Sequence, residues 1–214
     1  MKPTVIFGGT FDPVHIGHLR VALEASEFLD AHVRLMPANK PPHRAPPVAN
    51  PKQRAAMLEL AVAGQKNLSV DTRELRRGGS SYTLDTLIEL RREFPPEQSI
   101  ALLLGADAFA GLPTWHRWRE LFALAHFVVL ARPGHDSTLS ADLATEIAAR
   151  RTDAAADVKH GAAGKVIRLA VTQLEISASD IRHRLARGRD VHWLVPDALL
   201  AKPSTLAPYR SGSK

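Results

Sequence analysis

The 214-residue chain contains no cysteine, which excludes disulfide bonds and makes the cytoplasm the expected compartment. No run of 18 apolar residues occurs, so the sequence predicts no membrane-spanning helix and no membrane partner. The apolar stretch near the N-terminus is too short for a secretory signal. Aromatic residues make up only 6% of the chain, few for a surface that stacks the bases of a nucleic acid.

The overall composition is that of a globular protein with a basic charge balance. Hydrophobic residues make up 45% and charged residues 23%, and the length suits one domain over residues 1–214, with a short C-terminal helical part from about residue 177. Lysine and arginine number 28 against 22 acidic residues, a net charge of +6. This balance favours anionic partners, and nucleic acids and small phosphorylated substrates both remain open.

Apolar runs alternate with stretches of helical periodicity along most of the chain. We expect strands at 4–7, 32–36, 68–71, 100–104, 127–131 and 166–171. We expect helices at 17–29, 51–63, 83–94, 115–125 and 179–187, a proline-rich loop at 38–50, and one surface helix with a loose loop in 135–164. This alternation predicts a Rossmann-like, doubly wound parallel sheet with helices on both faces. Ligands of such sheets bind beyond the carboxyl ends of the strands.

The residues after the first predicted strand suit a phosphate site. Gly8 and Gly9 allow backbone N–H groups to approach a phosphate closely, and the helix that follows presents its positive end. His15 and His18 are three residues apart, so both imidazoles can donate to phosphoryl oxygens from one face of the first turn. No covalent nucleophile is evident, which favours catalysis by positioning and charge stabilisation.

Metal binding by the two histidines is the alternative interpretation. Asp12 is close in sequence, but no cysteine and no further histidine pattern supplies the third ligand that zinc sites usually have. We therefore predict no metal held by the protein itself. Mg²⁺ is the expected cofactor, held mainly by the phosphates of its nucleotide.

Two longer strings resemble the signatures of the nucleotidyltransferase superfamily. The first is Gly-Gly-Thr-Phe-Asp-Pro-Val-His-Ile-Gly-His at 8–18, and the second is Ile-Ser-Ala-Ser-Asp-Ile-Arg at 176–182. Further strings at 41–44, 73–75, 81–83, 105–107, 112–115 and 132–134 are similar to bacterial nicotinate-nucleotide adenylyltransferases, and the resemblance covers roughly residues 4–200. It implies the nucleotidyltransferase-type fold. It also implies transfer of AMP from ATP to nicotinate mononucleotide, giving nicotinate adenine dinucleotide and pyrophosphate in NAD biosynthesis.

The resemblance also implies roles for individual residues. Catalysis would depend on His15, His18 and Arg182. The residues expected to bind ATP are Gly8, Gly9, Thr10, Phe11, His15, His18, Gly105, Asp107, Arg132, Ser179 and Arg182. The residues expected to bind the mononucleotide are Lys40, His43, Arg44, Tyr82, Thr83 and Trp115. Several have plainer interpretations: Asp107, Thr83 and Ser179 as helix caps, and Trp115 as a core aromatic.

Other functions stay open at this stage. A sister adenylyltransferase would use nicotinamide mononucleotide or phosphopantetheine as the acceptor. His-Ile-Gly-His at 15–18 is also a signature of class I tRNA synthetases, but their second motif, Lys-Met-Ser-Lys-Ser, is absent. A nucleic-acid binding module without catalysis is disfavoured by the few aromatic residues, so no nucleic-acid partner is predicted.

The C-terminus departs from the resembled family. Its two prolines, Pro203 and Pro208, require the last helix to stop or kink at about Lys202. The family usually ends in a helix, so the packing of this segment is left open, as is the choice between monomer and homodimer.

Overall fold

The computed structural model describes residues 1–40, 46–131, 138–172 and 174–210. Within these ranges seven strands form one sheet. The strands are β1 (Thr4–Gly9), β2 (His32–Pro37), β3 (Leu68–Val70), β4 (Ile100–Gly105), β5 (His126–Ala131), β6 (Arg151–Thr152) and β7 (Val166–Ala170). The predicted strands are confirmed with bounds shifted by one or two residues, and β6 is an addition.

All strand pairs of the sheet are parallel, in the order β3-β2-β1-β4-β5-β7-β6. The chain runs outward from β1 to β3, then returns and continues on the other side of β1 with β4. Thr4 of β1 is in register with both His32 of β2 and Ile100 of β4, so the carboxyl ends of the central strands share one edge. The predicted doubly wound sheet is confirmed, and its switch point lies between β1 and β4.

Helices connect the strands and cover both faces of the sheet. They are α1 (Ile16–Leu29), α2 (Pro51–Val62), α3 (Arg73–Arg77), α4 (Thr83–Glu93), α5 (Ala106–Ala110), α6 (Leu121–Leu124), α7 (Ala141–Ile147), α8 (Ala155–His160), α9 (Ala178–Ala186) and α10 (Asp197–Leu200). Short 3₁₀ helices occupy Leu112–Thr114, Trp118–Glu120 and Pro203–Tyr209. None of the helices that the structure describes is long and apolar enough to cross a membrane.

The sheet separates two hydrophobic cores. Alternating residues of β4 show this directly: Ala101 and Leu103 belong to one core, and Leu102 and Leu104 belong to the other. The first core includes residues of α1, α2 and α9, and the second includes residues of α4 and α6. Because both faces are covered, the strands are apolar on both sides, as a central parallel sheet requires.

Two predictions of secondary structure are wrong. The single helix expected at 115–125 is divided into Trp118–Glu120 and α6, because Arg117 is left-handed at φ 50° and its side chain is bound to Glu120. The segment 135–164, expected to hold one helix, contains α7, α8 and strand β6 among its described residues. Its few apolar side chains sit in the cores, where Leu143 and Val158 are fully buried.

The C-terminal segment is packed against the rest of the molecule. Helix α10 ends at Leu200, close to the predicted stop at Lys202, and the Pro203–Tyr209 3₁₀ helix follows. Leu206 and Tyr209 are buried in the first core, and the segment contacts α2, α9 and α10. The two prolines therefore change the type of helix here and leave its packing intact.

Candidate active site

The turn after β1 is shaped by close packing around its second glycine. A Cβ on Gly9 would lie 2.9 Å from Cζ of Phe11, whereas one on Gly8 would meet nothing within 4 Å. Phe11 is buried in a left-handed conformation at φ 51°, and its ring contacts that of His18 at 5.0 Å between centroids. Gly9 therefore lets the Phe11 ring support His18, while Gly8 leaves open space for a ligand.

His15 and His18 come together at the start of α1. Their rings stack at 3.6 Å between centroids, and the backbone N–H of His15 donates to Nδ1 of His18 at 3.3 Å. Because Nδ1 of His18 accepts a hydrogen bond, the neutral ring carries its proton on Nε2. His15 is buried, its Nδ1 lacks a hydrogen-bond partner among the described residues, and burial lowers its pKa to about 4. Near neutral pH His15 is thus an uncharged imidazole.

The second signature brings Ser179 and Arg182 to the same place. Ser177, not Ser179, caps α9 by accepting from the backbone N–H of Asp180 at 3.1 Å, so the capping interpretation of Ser179 is wrong. Arg182 donates to the Ser179 hydroxyl at 3.1 Å and to the backbone oxygen of Asp12 at 2.7 Å. This second contact joins α9 to the turn after β1 across 170 residues of sequence.

A cavity of about 680 Å³ opens at the carboxyl edge of β1 and β4. It is lined by almost all residues predicted to bind ATP: Gly8, Gly9, Thr10, Phe11, His15, His18, Gly105, Asp107, Ser179 and Arg182. Arg132, the remaining one, lies outside the described residues. Asp107 is the second residue of α5, and Gly105 holds the cap position, so the capping interpretation of Asp107 is wrong too.

A second cavity of about 360 Å³ adjoins the first, and both are lined by Gly8, Gly9, Leu104 and Ala108. Tyr82, Thr83 and Trp115, three of the residues predicted to bind the mononucleotide, line it. Thr83 begins α4 and Tyr82 precedes it, so the positive end of that helix faces this region. Trp115 is only partly buried and packs at the margin of the second core.

Of the other residues predicted for the mononucleotide, one lies in the described part of the chain. Lys40 is exposed and is not among its lining residues, although its backbone oxygen accepts from Ser81 N at 3.2 Å. His43 and Arg44 lie outside the described residues.

The second cavity also contains polar residues that the sequence did not identify as site residues. Glu74 of α3 is buried at its wall and accepts a hydrogen bond from the Thr86 hydroxyl at 2.8 Å. Burial raises the pKa of Glu74, although hydrogen bonds from Ser81 and Thr86 oppose this. The ring of His116 contacts that of Tyr82 in a tilted arrangement, at 4.9 Å between ring centroids. The Arg-Glu-Leu string at 73–75 was the available signal for Glu74, but it carries no chemistry by itself.

Asp12 lines the larger cavity, but both its carboxylate oxygens are used within the protein. They accept from the backbone N–H groups of Val48 at 2.8 Å and Ala49 at 3.0 Å, and from the Tyr209 hydroxyl at 2.7 Å. Across the ranges that the structure describes, no group of three or more His, Cys, Asp or Glu side chains could hold a metal ion.

The geometry is therefore a pair of joined cavities at the switch point, the larger lined with donors suited to a polyphosphate. The cytidylyltransferase-like family model matches residues 6–184. A relative from Dechloromonas aromatica is 47% identical over 214 residues, covering 98% of this chain and 99% of its own. One from Halorhodospira halophila is 50% identical over 195 residues, covering 91% and 89%. Both carry the name probable nicotinate-nucleotide adenylyltransferase. The chain belongs to this family.

Solved structures give the same fold at low sequence identity. The nicotinic acid mononucleotide adenylyltransferase of Plasmodium falciparum, complexed with NaAD, superimposes with a TM-score of 0.71 at 16% identity, covering 99% of this chain and 97% of its own. As a family member the chain is a nucleotidyltransferase of NAD biosynthesis. The two adjoining cavities are accordingly the candidate sites for its two nucleotide substrates.

Proposed function

We propose that this adenylyltransferase binds ATP in the larger cavity and nicotinate mononucleotide in the smaller one. The observation that carries the proposal is the convergence of His15, His18, Ser179 and Arg182 on one cavity that is continuous with the pocket of Trp115. Hydroxyl, imidazole and guanidinium groups are all donors to phosphoryl oxygens. A cavity with this lining suits the triphosphate of ATP.

The reaction follows from this arrangement. A phosphate oxygen of the mononucleotide attacks the α-phosphorus of ATP in line, and the bond from that phosphorus to the bridging oxygen of pyrophosphate breaks. No general base is needed, because a phosphate monoester near neutral pH already carries about −1.5 to −2 charges. The protonated Nε2 of His18 donates to the α-phosphoryl oxygens, where negative charge develops. Arg182 and Ser179 hold the β and γ phosphates that leave.

The smaller cavity accounts for the choice of acceptor. The nicotinate ring stacks on Trp115, and its carboxylate lies at the N-terminal end of α4, beside Tyr82 and Thr83. The helix dipole favours an anion over the neutral amide of the nicotinamide form. Glu74 also lies at the wall of this cavity, where burial raises the pKa of its carboxyl.

We propose Mg²⁺ as the metal that accompanies ATP. The larger cavity supplies mainly hydrogen-bond donors, and the carboxylate of Asp12 is already satisfied by Val48, Ala49 and Tyr209. This donor set fits an ion held chiefly by phosphate oxygens and water. When bound, Mg²⁺ neutralises charge on the triphosphate and on departing pyrophosphate.

The chain organisation and compartment belong to the same proposal. Residues 1–214 would form one nucleotidyltransferase domain in which the helical part from about 177 packs against α2 and the turn after β1. We propose the cytoplasm as its compartment, in keeping with a chain that has no cysteine.

Pyrophosphate release from ATP and Mg²⁺ tests the function, with nicotinate mononucleotide and then nicotinamide mononucleotide as the acceptor. We expect turnover with both and a kcat/KM at least about tenfold higher for the nicotinate form, since about 1.4 kcal/mol of differential binding is enough. Proline is tolerated at the first position of a helix, so Thr83→Pro should leave α4 folded. It removes the backbone N–H and the hydroxyl that Thr83 offers to a carboxylate, and should therefore lower the ratio of kcat/KM for the nicotinate form to kcat/KM for the nicotinamide form. Equal kcat/KM values for the two acceptors in the wild type would contradict the proposed role of α4. Turnover with phosphopantetheine and with neither mononucleotide would show that the proposed acceptor is wrong.

A further inference from the structure

The last described turn of the chain contacts Asp12, a residue that lines the candidate ATP site. Tyr209 closes the Pro203–Tyr209 3₁₀ helix and is 3% exposed, and its hydroxyl donates to a carboxylate oxygen of Asp12 at 2.7 Å. The two residues are 197 positions apart in sequence. Burial and the neighbouring Asp12 raise the pKa of Tyr209, so the hydroxyl keeps its proton and remains a donor.

Asp12 connects Tyr209 to the groups that face the phosphates. Its carboxylate also accepts from the backbone N–H groups of Val48 and Ala49, and Val48 is itself part of the cavity wall. Its backbone oxygen accepts from Arg182 at 2.7 Å. One residue thus fixes the turn between β1 and α1, the wall at Val48 and the orientation of the arginine.

A buried arginine supports the same turn from α2. Arg54 is fully buried and donates to the backbone oxygens of Thr10 at 2.8 Å and Ala49 at 3.3 Å. Burial lowers the pKa of Arg54, and the carboxylate of Asp12 opposes this shift. The carboxylate of Asp12 therefore compensates a buried cation as well, and the Tyr209 hydroxyl is the side-chain donor that holds this carboxylate in place.

We propose that Tyr209 is a positioning residue for ATP binding: through Asp12 it holds the turn that carries His15 and sets the guanidinium of Arg182 against the triphosphate. This inference rests on the proposed function, because it takes the larger cavity as the ATP site. Tyr209 touches no substrate in this scheme. Its loss is expected to weaken binding of the triphosphate and to leave binding of the acceptor unchanged.

The test compares two variants that each remove one hydroxyl from the same 3₁₀ helix. Tyr209→Phe removes the bond to Asp12 and keeps the aromatic packing. Thr205→Val, the matched control, removes hydroxyl bonds to the backbone oxygens of Leu199 at 3.0 Å and Lys202 at 2.8 Å, far from Asp12 in the bonding network. Binding of a non-hydrolysable ATP analogue with Mg²⁺ is measured by calorimetry, followed by KM for ATP and for the mononucleotide.

We expect Tyr209→Phe to weaken analogue binding and raise KM for ATP by about tenfold, as for loss of one hydrogen bond to a charged group. KM for the mononucleotide stays within about twofold, and Thr205→Val changes neither KM. The binding stoichiometry reports the folded fraction, so a purely structural role would lower the stoichiometry of Tyr209→Phe and leave its dissociation constant unchanged. That result, or an equal loss of affinity in Thr205→Val, overturns the inference. Failure of the wild type to bind the analogue would instead overturn the proposed ATP site, and the inference with it.

Discussion

The neutral state of His15 gives a prediction about stability that can be worked through from the structure. His15 is 7% exposed, and burial lowers its pKa to about 4 from 6.5. Between these two pH values the unfolded chain binds a proton at this imidazole and the folded chain does not. Stability from this group is therefore complete above about pH 6.5 and is lost as pH falls towards 4.

The expected size of the effect follows from the two pKa values. Between pH 7 and pH 5 the difference in proton binding removes about 2 kcal/mol from the free energy of unfolding, and the full effect below pH 4 is about 3 kcal/mol. His15→Asn keeps a polar side chain at the cap position and removes the titrating ring. The stability advantage of the wild type over this variant should shrink by about 2 kcal/mol from pH 7 to pH 5.

Urea unfolding followed by circular dichroism at pH 7, 6 and 5 measures this difference directly. His160→Asn is the control, because His160 is an exposed histidine at the end of α8. The control variant should lose the same roughly 2 kcal/mol of its free energy of unfolding between pH 7 and pH 5 that His15 costs the wild type. A constant difference between wild type and His15→Asn across this pH range would refute the buried, neutral state of His15.

The remaining predictions concern catalysis. His18→Ala should lower kcat by about 10²–10³, as for loss of one preorganised donor to a developing charge, and a normal kcat for pyrophosphate release would refute the role of His18. Gly9→Ala should place a methyl group against Phe11, lower Tm and weaken ATP binding. The added methyl group of Gly8→Ala meets no protein atom within 4 Å, so this variant should keep nearly the Tm of the wild type. Equal losses of Tm in both variants would contradict the packing argument. Trp115→Ala should raise KM for the mononucleotide by an amount corresponding to about 1–3 kcal/mol of stacking and spare KM for ATP, and parallel rises in both KM values would count against stacking on this ring.

Local patterns were sufficient where a residue's role depends on its neighbours in sequence. The start of α1, with two histidines three residues apart, follows from helical geometry, and the stacking of His15 on His18 agrees with it. The parallel sheet could be predicted from the alternation alone, since parallel strands need a crossover connection that is usually a helix. The division of 115–125 at Arg117 could not be predicted, because a left-handed residue other than glycine leaves no compositional mark.

The sequence by itself determined the parallel sheet and the family to which the chain belongs, and it predicted a phosphate site at the end of β1. Only the tertiary structure decided that Glu74 borders the smaller cavity, that Arg54 is buried beneath the turn and that the Tyr209 hydroxyl donates to Asp12. The physical reason is the range of the forces concerned. Periodicity and capping act within a few residues, whereas burial and a hydrogen bond across 197 residues exist only once the chain has folded.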